Sequence, residues 1–168
     1  QRFIESYLVQ YPGAYITGDG GFRDRDGYVY VMGRTDDVIN VAGHRLSTGE
    51  MEEILASHPA VAECAVIGVN DPLKGQIPRG FVVLKAGIET SPDVLSAELV
   101  GLVRARIGAV ASLRRVDVVA GLPKTRSGKI LRKTMRGIAN GNNDELVPST
   151  IDDPATLDAL RPVLRGSG

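Results

Sequence analysis

The basic segment 122–133 contains the residues whose types and spacing most clearly suggest chemistry. It carries five cations and no acid, namely Lys124, Arg126, Lys129, Arg132 and Lys133. Pro123 and Gly128 prevent a regular helix through this segment. The sequence therefore predicts a basic loop that presents Lys129, followed by a helix that starts at Ile130. Because a glycine beside the lysine lets an anion approach the backbone closely, a phosphate or carboxylate is the expected partner.

A P-loop is a poor explanation of this segment. That motif needs four residues between its first glycine and the Gly-Lys pair, with Ser or Thr after the lysine. Here six residues separate Gly121 from Gly128, and Ile130 follows the lysine. A solvated run of surface charge is the remaining alternative.

Polar groups upstream could bind the rest of a nucleotide. Asp19 follows a flexible glycine, and a carboxylate accepts hydrogen bonds from vicinal ribose hydroxyls. Arg34 and Asp36 surround a break after a predicted strand, and Arg45 lies at a predicted hairpin tip. Arginine binds phosphate oxygens with two donors at once. A turn aspartate usually caps its own backbone, so each signal is weak alone. Together with Lys129, they indicate a nucleotide with a reactive phosphoryl group.

The charge distribution favours a local anion site. Lys plus Arg and Asp plus Glu each total 20, so net charge predicts neither a nucleic-acid nor a membrane partner. Segment 104–136 nevertheless has one acid, Asp117, and ten cations. These cations are Arg104, Arg106, Arg114, Arg115, Lys124, Arg126, Lys129, Arg132, Lys133 and Arg136.

The single cysteine predicts a reducing compartment. Cys64 lies in an apolar run, which predicts a buried core residue, and one cysteine excludes an internal disulfide. No apolar stretch approaches the ~20 residues that a membrane span needs. We therefore expect a cytoplasmic protein. The sequence lacks an initiator Met and a signal-peptide pattern, and we expect it to be part of a longer chain.

Strand and helix patterns predict an α+β fold, with a small three-stranded sheet, helices packed on it and an N-terminal pair of β-hairpins. Ser47 and Glu50 have the spacing of a capping box at the start of a helix. The predicted helices are 48–58, 93–107 and 130–139, with a short terminal helix at 154–164, and the predicted main strands are 61–69, 80–85 and 115–119.

Three ordered segments resemble motifs of the adenylate-forming acyl-CoA synthetase family. Residues 15–19 resemble its Thr-Gly-Asp motif, 33–52 its hinge and hairpin motif, and 122–129 its terminal catalytic-lysine motif. The short-chain branch, the acetyl- and propionyl-CoA synthetases, fits best. Within that branch, Ala42, loop 71–76 and tail 147–154 look more like the propionate type.

The resemblance implies a two-step reaction. A carboxylate attacks ATP to give acyl-AMP and pyrophosphate, and the CoA thiol then displaces AMP. Lys129 would contact the reacting carboxylate and the α-phosphate. Asp19, Arg34 and Arg45 would bind the nucleotide, and Asp36 would be the hinge.

The resemblance also implies CoA and divalent-ion positions. Gly43 with Ala42 would line the pantetheine tunnel, and Arg104 would bind a CoA phosphate. The His58 position, with the carbonyls of Ala56 and Val61, matches a divalent-ion site, although a histidine before a proline is more often a helix-end residue. ATP, CoA and Mg²⁺ are therefore the expected cofactors.

The resemblance predicts three regions in the chain. Residues 1–35 would be the tail of a large N-terminal adenylation domain, residues 36–140 the C-terminal lid domain and residues 141–168 an extension. The expected partners are a short-chain carboxylate, ATP, CoA and the N-terminal domain, without which the chain would be inactive. A protein acetyltransferase and deacetylase would act on Lys129, where acetylation removes the charge that the reaction needs.

Two other functions stay open. The chain could belong to another adenylate-forming enzyme whose acceptor is a carrier-protein thiol. It could also be a non-enzymatic basic interaction domain. Arg104 and the linker-like tail favour free CoA as the acceptor.

Overall fold

The computed structural model describes residues 2–142 and 147–166. The chain divides after Val38 into two compact units. Within the described ranges, no helix has the length and apolar character to cross a lipid bilayer.

The first unit is a small hairpin with a short helix. The Asp24 carboxylate closes the hairpin turn, since its Oδ1 accepts the N–H groups of Asp26 (3.0 Å) and Tyr28 (2.9 Å). A 3₁₀ turn at Thr35–Asp37 follows the hairpin. The elements are α1 (Arg2–Tyr7), β1 (Asp19–Arg23) and β2 (Val29–Arg34), with β1 and β2 antiparallel.

The second unit is an α+β domain, as the sequence predicts. Its sheet has the order β4-β3-β6-β5, and β7 runs parallel to β6. The strands are β3 (Val38–Val41), β4 (His44–Ser47), β5 (Val61–Asp71), β6 (Gly75–Leu84) and β7 (Val116–Val118). The helices are α2 (Thr48–Ala56), α3 (Pro92–Arg106), α4 (Arg132–Ala139) and α5 (Pro154–Arg165).

The sheet has five strands where the sequence predicts three. Strands β5 and β6 pair beyond their predicted ends, as far as Asp71 opposite Gly75. The first residue of β6 can therefore pair with β3, and Gly75 lies opposite Val41. The hairpin β3–β4 therefore joins the main sheet instead of standing apart from it.

Two helix starts compare directly with the sequence. The Ser47 Oγ accepts the Glu50 N–H at 3.4 Å, which confirms the predicted cap of α2. Helix α4 begins at Arg132, because Ile130 forms an antiparallel bridge with Lys124 and the Leu131 N–H donates to the Pro123 carbonyl.

Helices cover both faces of the β5–β6 hairpin, because successive residues of a strand point to opposite faces. Val66 and Val82 belong to a core with α2 and α3. Ala65, Ile67 and Phe81 belong to a second core with α4 and α5. The terminal helix contributes three buried leucines to the second core, namely Leu157, Leu160 and Leu164.

A buried ion pair connects β6, β7 and the end of α5. Arg79 donates to Asp117 at 2.9 Å, and their side chains are 9% and 4% exposed. The same guanidinium donates to the carbonyls of Val163 at 2.6 Å and Leu164 at 3.0 Å. Arg79 therefore caps the carbonyl end of α5.

Candidate functional site

The predicted basic loop is a tight, hydrogen-bonded turn that exposes Lys129. The Thr125 N–H donates to the Lys129 carbonyl, and the Gly128 N–H donates to the Thr125 carbonyl, both at 2.8 Å. The Lys129 N–H donates to the Thr125 Oγ1 at 3.1 Å. Gly128 has φ +81°, a conformation that favours glycine. The backbone of Lys129 is therefore fixed while its side chain faces solvent.

Residues 150–152 lie beside this loop. The Arg126 N–H donates to the Thr150 carbonyl at 3.0 Å, and the Asp152 N–H donates to the Lys124 carbonyl at 2.9 Å. Thr125 and Ile151 form an antiparallel bridge. Sequence reasoning assigned this segment to an extension and missed the contact, because short extended pairings leave no periodic pattern.

Two ion pairs tie the loop to the domain, and the sequence motifs did not identify them. Arg132 donates through Nε and Nη2 to both carboxylate oxygens of Glu52, at 2.7 and 2.6 Å. Lys124 Nζ lies 2.6 Å from the Glu63 Oε1. An acid placed among the buried residues of α2, as Glu52 is, was the available signal.

The Ala42–Gly43 turn joins β3 to β4. Both residues have positive φ, +50° and +89°, as a two-residue type I′ turn requires. A Cβ on Gly43 would meet nothing within 4 Å, so the backbone conformation and not crowding within the chain favours glycine there. Arg45 follows on β4 and is exposed.

Arg104 lines a basic cavity of about 280 Å³, together with Lys74, Ser112 and Arg114. Lys74 Nζ donates to the Ser112 Oγ at 2.7 Å, and the Lys74 carbonyl accepts the Ala42 N–H at 2.8 Å. The cavity lining contains no carboxylate among the described residues. Lys74 therefore contacts both the Ala42–Gly43 turn and the wall of the Arg104 cavity.

In the first unit, Asp19 and Arg34 are cross-strand partners in the β1–β2 ladder. Arg34 Nη1 donates to the Thr17 carbonyl at 3.3 Å, and the Thr35 N–H donates to the Gly18 carbonyl at 2.8 Å. The Thr-Gly-Asp segment and the end of β2 are therefore joined. Both Asp19 and Arg34 are exposed.

His58 links the end of α2 to α3. Its Nδ1 accepts the Ala60 N–H at 3.3 Å, and its Nε2 lies 3.3 Å from a Glu98 carboxylate oxygen. Its carbonyl accepts the Val61 N–H at 3.1 Å. Over the described residues, no group of three or more His, Cys, Asp and Glu side chains could hold a metal ion. An ion near the Ala56 and Val61 carbonyls would depend on backbone oxygens and water.

The Cys64 thiol is half-buried and donates to the Glu52 carbonyl at 3.2 Å. Burial, with a smaller contribution from the nearby Glu52 charge, raises its pKa from 9.0 to about 11. At pH 8 we expect about a hundredfold less thiolate than for an ordinary cysteine, and correspondingly slow reaction with a disulfide reagent in the folded chain. The measurement is the labelling rate with and without urea, and equal rates would contradict the prediction.

The same pKa gives a pH dependence of stability. The unfolded thiol loses its proton near pH 9.0 and the folded thiol near pH 11. The stability contributed by the neutral thiol is therefore complete below pH 9 and falls as the pH rises toward 11. The variant Cys64→Ser should lack this part of the pH dependence.

Comparison with known proteins agrees with this geometry. Residues 50–129 match the family model described as "AMP-binding enzyme C-terminal domain". An uncharacterized protein of Pseudomonas aeruginosa is 62% identical over 164 residues, which cover 98% of this chain and 26% of that protein. The acetyl-coenzyme A synthetase of Phycomyces blakesleeanus is 52% identical over 160 residues, which cover 95% of this chain and 24% of that protein.

A solved structure supports the same relationship. The crystal structure of a Brucella canis acyl-CoA synthetase matches with a TM-score of 0.57 and 44% identity, and the match covers 74% of this chain and 23% of that one. The chain spans about a quarter of the length of the curated relatives that it matches. Residues 50–129 are therefore similar to the C-terminal domain of AMP-binding enzymes, and the chain as a whole is similar to part of the acyl-CoA synthetases.

Proposed function

We propose that this chain is the C-terminal lid of an AMP-forming short-chain acyl-CoA synthetase that activates propionate or acetate and transfers the acyl group to CoA. The observation that carries the proposal is the exposed Lys129 on a hydrogen-bonded turn, in a chain 52% identical to an acetyl-coenzyme A synthetase. Residues 1–35 would be the tail of the large N-terminal domain, residues 36–140 the lid and residues 141–168 an extension. The chain alone would then be inactive.

In the first half-reaction, a carboxylate oxygen attacks the α-phosphorus of ATP and pyrophosphate leaves. Negative charge develops on the transferring phosphoryl oxygens, and the Lys129 ammonium would offset it. The Asp19 carboxylate would accept hydrogen bonds from the ribose hydroxyls. The guanidinium groups of Arg34 and Arg45 would bind nucleotide or phosphate oxygens.

In the second half-reaction, the CoA thiol attacks the acyl carbon and AMP leaves with the bonding electron pair. The Ala42–Gly43 turn would line the path of the pantetheine arm. Arg104 would bind a CoA phosphate, and the cavity that it shares with Lys74 and Arg114 supports that role, because the charged side chains that line it among the described residues are all cationic. The hydrogen bond from Ala42 to the Lys74 carbonyl joins the two CoA-contacting regions.

Mg²⁺ would accompany ATP as its phosphate-bound ion. The position formed by Ala56, His58 and Val61 stays a prediction, since both ring nitrogens of His58 already have neighbours. No step above depends on an ion at that position.

Asp36 would be the hinge that exchanges the two sets of residues. It lies in the 3₁₀ turn Thr35–Asp37, just before the break between the two compact units. We expect Asp36→Pro to slow thioester formation from supplied acyl-AMP by roughly tenfold or more, because proline fixes φ. Adenylation should stay near the wild-type rate.

The control for this prediction is Asp36→Ala, which leaves the backbone free to rotate. It should slow thioester formation less than Asp36→Pro does. Both half-reactions are measured separately in the full-length protein. An equal loss of both half-reactions in Asp36→Pro would count against a hinge at this residue.

Three features support propionate over acetate as the substrate, because they resemble the propionate type, namely Ala42, loop 71–76 and tail 147–154. The substrate is tested by ATP–pyrophosphate exchange in the full-length protein with acetate, propionate and butyrate, followed by addition of CoA. Exchange with propionate and a thioester product would support the proposal.

The same assay separates the alternatives. Exchange without a thioester product would favour an enzyme that transfers to a carrier protein. Absence of exchange with every acid would favour a non-enzymatic interaction domain.

Acetylation of Lys129 would regulate the enzyme. The side chain is exposed and therefore accessible to an acetyltransferase, and a deacetylase would restore the charge. A cytoplasmic location is consistent with the single, half-buried thiol. If quantitatively acetylated full-length protein formed acyl-AMP at the wild-type rate, this form of regulation would be wrong.

A further inference from the structure

The lysine loop, which we define as residues 124–132, is anchored by a bidentate ion pair at its C-terminal end. The two donors of Arg132 meet the two oxygens of Glu52 at 2.7 and 2.6 Å. The side chains of Arg132 and Glu52 are 26% and 15% exposed. This geometry fixes the direction as well as the distance of the guanidinium, as a bidentate arginine–carboxylate pair does.

The Glu52 carboxylate is itself held in place. Its Oε1 also accepts the Val66 N–H at 2.8 Å. Val66 is buried in β5, the strand that pairs with β6 through most of its length. Glu52 is part of α2, and its carboxylate binds both Arg132 of the lysine loop and the backbone of the sheet strand β5. It therefore connects the loop to the helix and to the sheet.

The other leg of the lysine loop has a weaker ion pair. The contact from Lys124 to Glu63 is a single hydrogen bond of 2.6 Å, and the two side chains are 33% and 41% exposed. An ion pair in that setting contributes little, because water solvates both partners. Of these two ion pairs, the one between Glu52 and Arg132 is the better able to fix the loop.

We propose that Glu52 and Arg132 are positioning residues for Lys129 in the adenylation half-reaction, an inference that rests on the proposed function. Arg132 follows Lys129 by three residues, and the Leu131 N–H closes the intervening backbone by donating to the Pro123 carbonyl. A change in the position of Arg132 is thus passed to the Lys129 ammonium. A displacement of about 1 Å at a reacting centre can lower a rate by about a hundredfold.

The pair also fixes the lysine loop relative to the Ala42–Gly43 turn. Helix α2, which carries Glu52, begins directly after β4, the second strand of that hairpin. The two regions proposed for the two half-reactions then move as one body. Because Lys129 acts in adenylation and the turn acts in thioester formation, loss of the pair should affect adenylation selectively.

The test uses Glu52→Gln in the full-length protein, with Glu63→Gln as the matched control. Glutamine keeps the size of the side chain but removes the charge that binds the guanidinium. We expect Glu52→Gln to lower the ATP–pyrophosphate exchange rate by about ten- to a hundredfold. Thioester formation from supplied acyl-AMP should change by less than about threefold, and Glu63→Gln should change neither rate by more than that.

Arg132→Lys provides a second variant in case Glu52→Gln does not fold. It keeps the positive charge but cannot form the bidentate pair, so it should show the same selective loss with a smaller magnitude. The double variant Glu52→Gln/Arg132→Lys should be no slower than the slower single variant. Equal loss of both half-reactions, or unchanged exchange in both single variants, would overturn the proposal.

Hydrogen–deuterium exchange separates this inference from the proposed function. In Glu52→Gln, amides of the lysine loop should exchange faster than in the wild type, whereas Glu63→Gln should leave them almost unchanged. If the lysine-loop amides exchange faster in Glu52→Gln but the wild-type protein shows no ATP–pyrophosphate exchange, the anchoring is upheld. The proposed function, and with it the catalytic role of the pair, is then refuted. Unchanged amide exchange would refute the anchoring itself.

Discussion

Replacement of Lys129 by alanine in the full-length protein is expected to lower the adenylation rate by about 10²–10³-fold. The turn has three hydrogen bonds, two of them to the Lys129 backbone, and it leaves the ammonium in solvent, where it can meet a substrate. Loss of one electrostatic donor to the transition state costs about 3–4 kcal/mol. Thioester formation from supplied acyl-AMP should be nearly unchanged, since the Ala42–Gly43 turn and Arg104 are proposed for that step.

Lys133→Ala is the matched control for this experiment. Lys133 is an exposed cation in the same basic segment, but it lies on α4 and not on the turn that presents Lys129. It should adenylate at close to the wild-type rate. If Lys129→Ala formed acyl-AMP as fast as the wild type, the lysine would have no catalytic role.

Replacement of Arg79 by methionine is expected to destabilise the second unit by about 3–5 kcal/mol, because it leaves the Asp117 charge buried with one partner fewer. It also removes the donors that cap the Val163 and Leu164 carbonyls of α5. The measurement is urea unfolding of the chain at neutral pH. A loss of this size is a large fraction of the stability of an ordinary domain.

Arg115→Met tests the same carboxylate from the solvent side. Arg115 Nε lies 2.6 Å from the Asp117 Oδ1, but its side chain is 69% exposed. We expect a loss of about 1 kcal/mol or less, since water screens an exposed pair. If the two substitutions lowered the free energy of unfolding equally, burial would not be the reason for the contribution of the Arg79 pair.

The α+β class and the cap of α2 followed from local patterns. Ser47 and Glu50 are three residues apart, so their hydrogen bond is encoded in the sequence spacing. The five-stranded sheet was not predictable in this way, because the pairing of Val41 with Gly75 joins residues far apart in the chain. The start of α4 moved to Arg132 for a similar reason, since the Lys124–Ile130 bridge and the hydrogen bond from Leu131 to the Pro123 carbonyl keep residues 130 and 131 out of the helix.

Part of the candidate site was predictable and part was not. The sequence motifs identified the exposed Lys129 loop and the Ala42–Gly43 turn, because their glycines have the positive φ that such turns require. Glu52 ends the hinge and hairpin motif, but its contact with Arg132 was not predictable, because the two residues are 80 positions apart. Lys74 was also missed as a contact between the turn and the Arg104 cavity, since this role depends on its backbone carbonyl.

The most direct test of a rotating lid is the distance between one label in each compact unit of the full-length protein. Tyr28→Cys and Lys133→Cys place spin labels at exposed positions, with Cys64→Ser and the other native cysteines replaced. We predict one distance distribution with ATP and carboxylate, and a clearly shifted one with an unreactive acyl-AMP analogue and CoA. A single unchanged distribution under both conditions would contradict a lid that brings Lys129 in for adenylation and withdraws it for thioester formation.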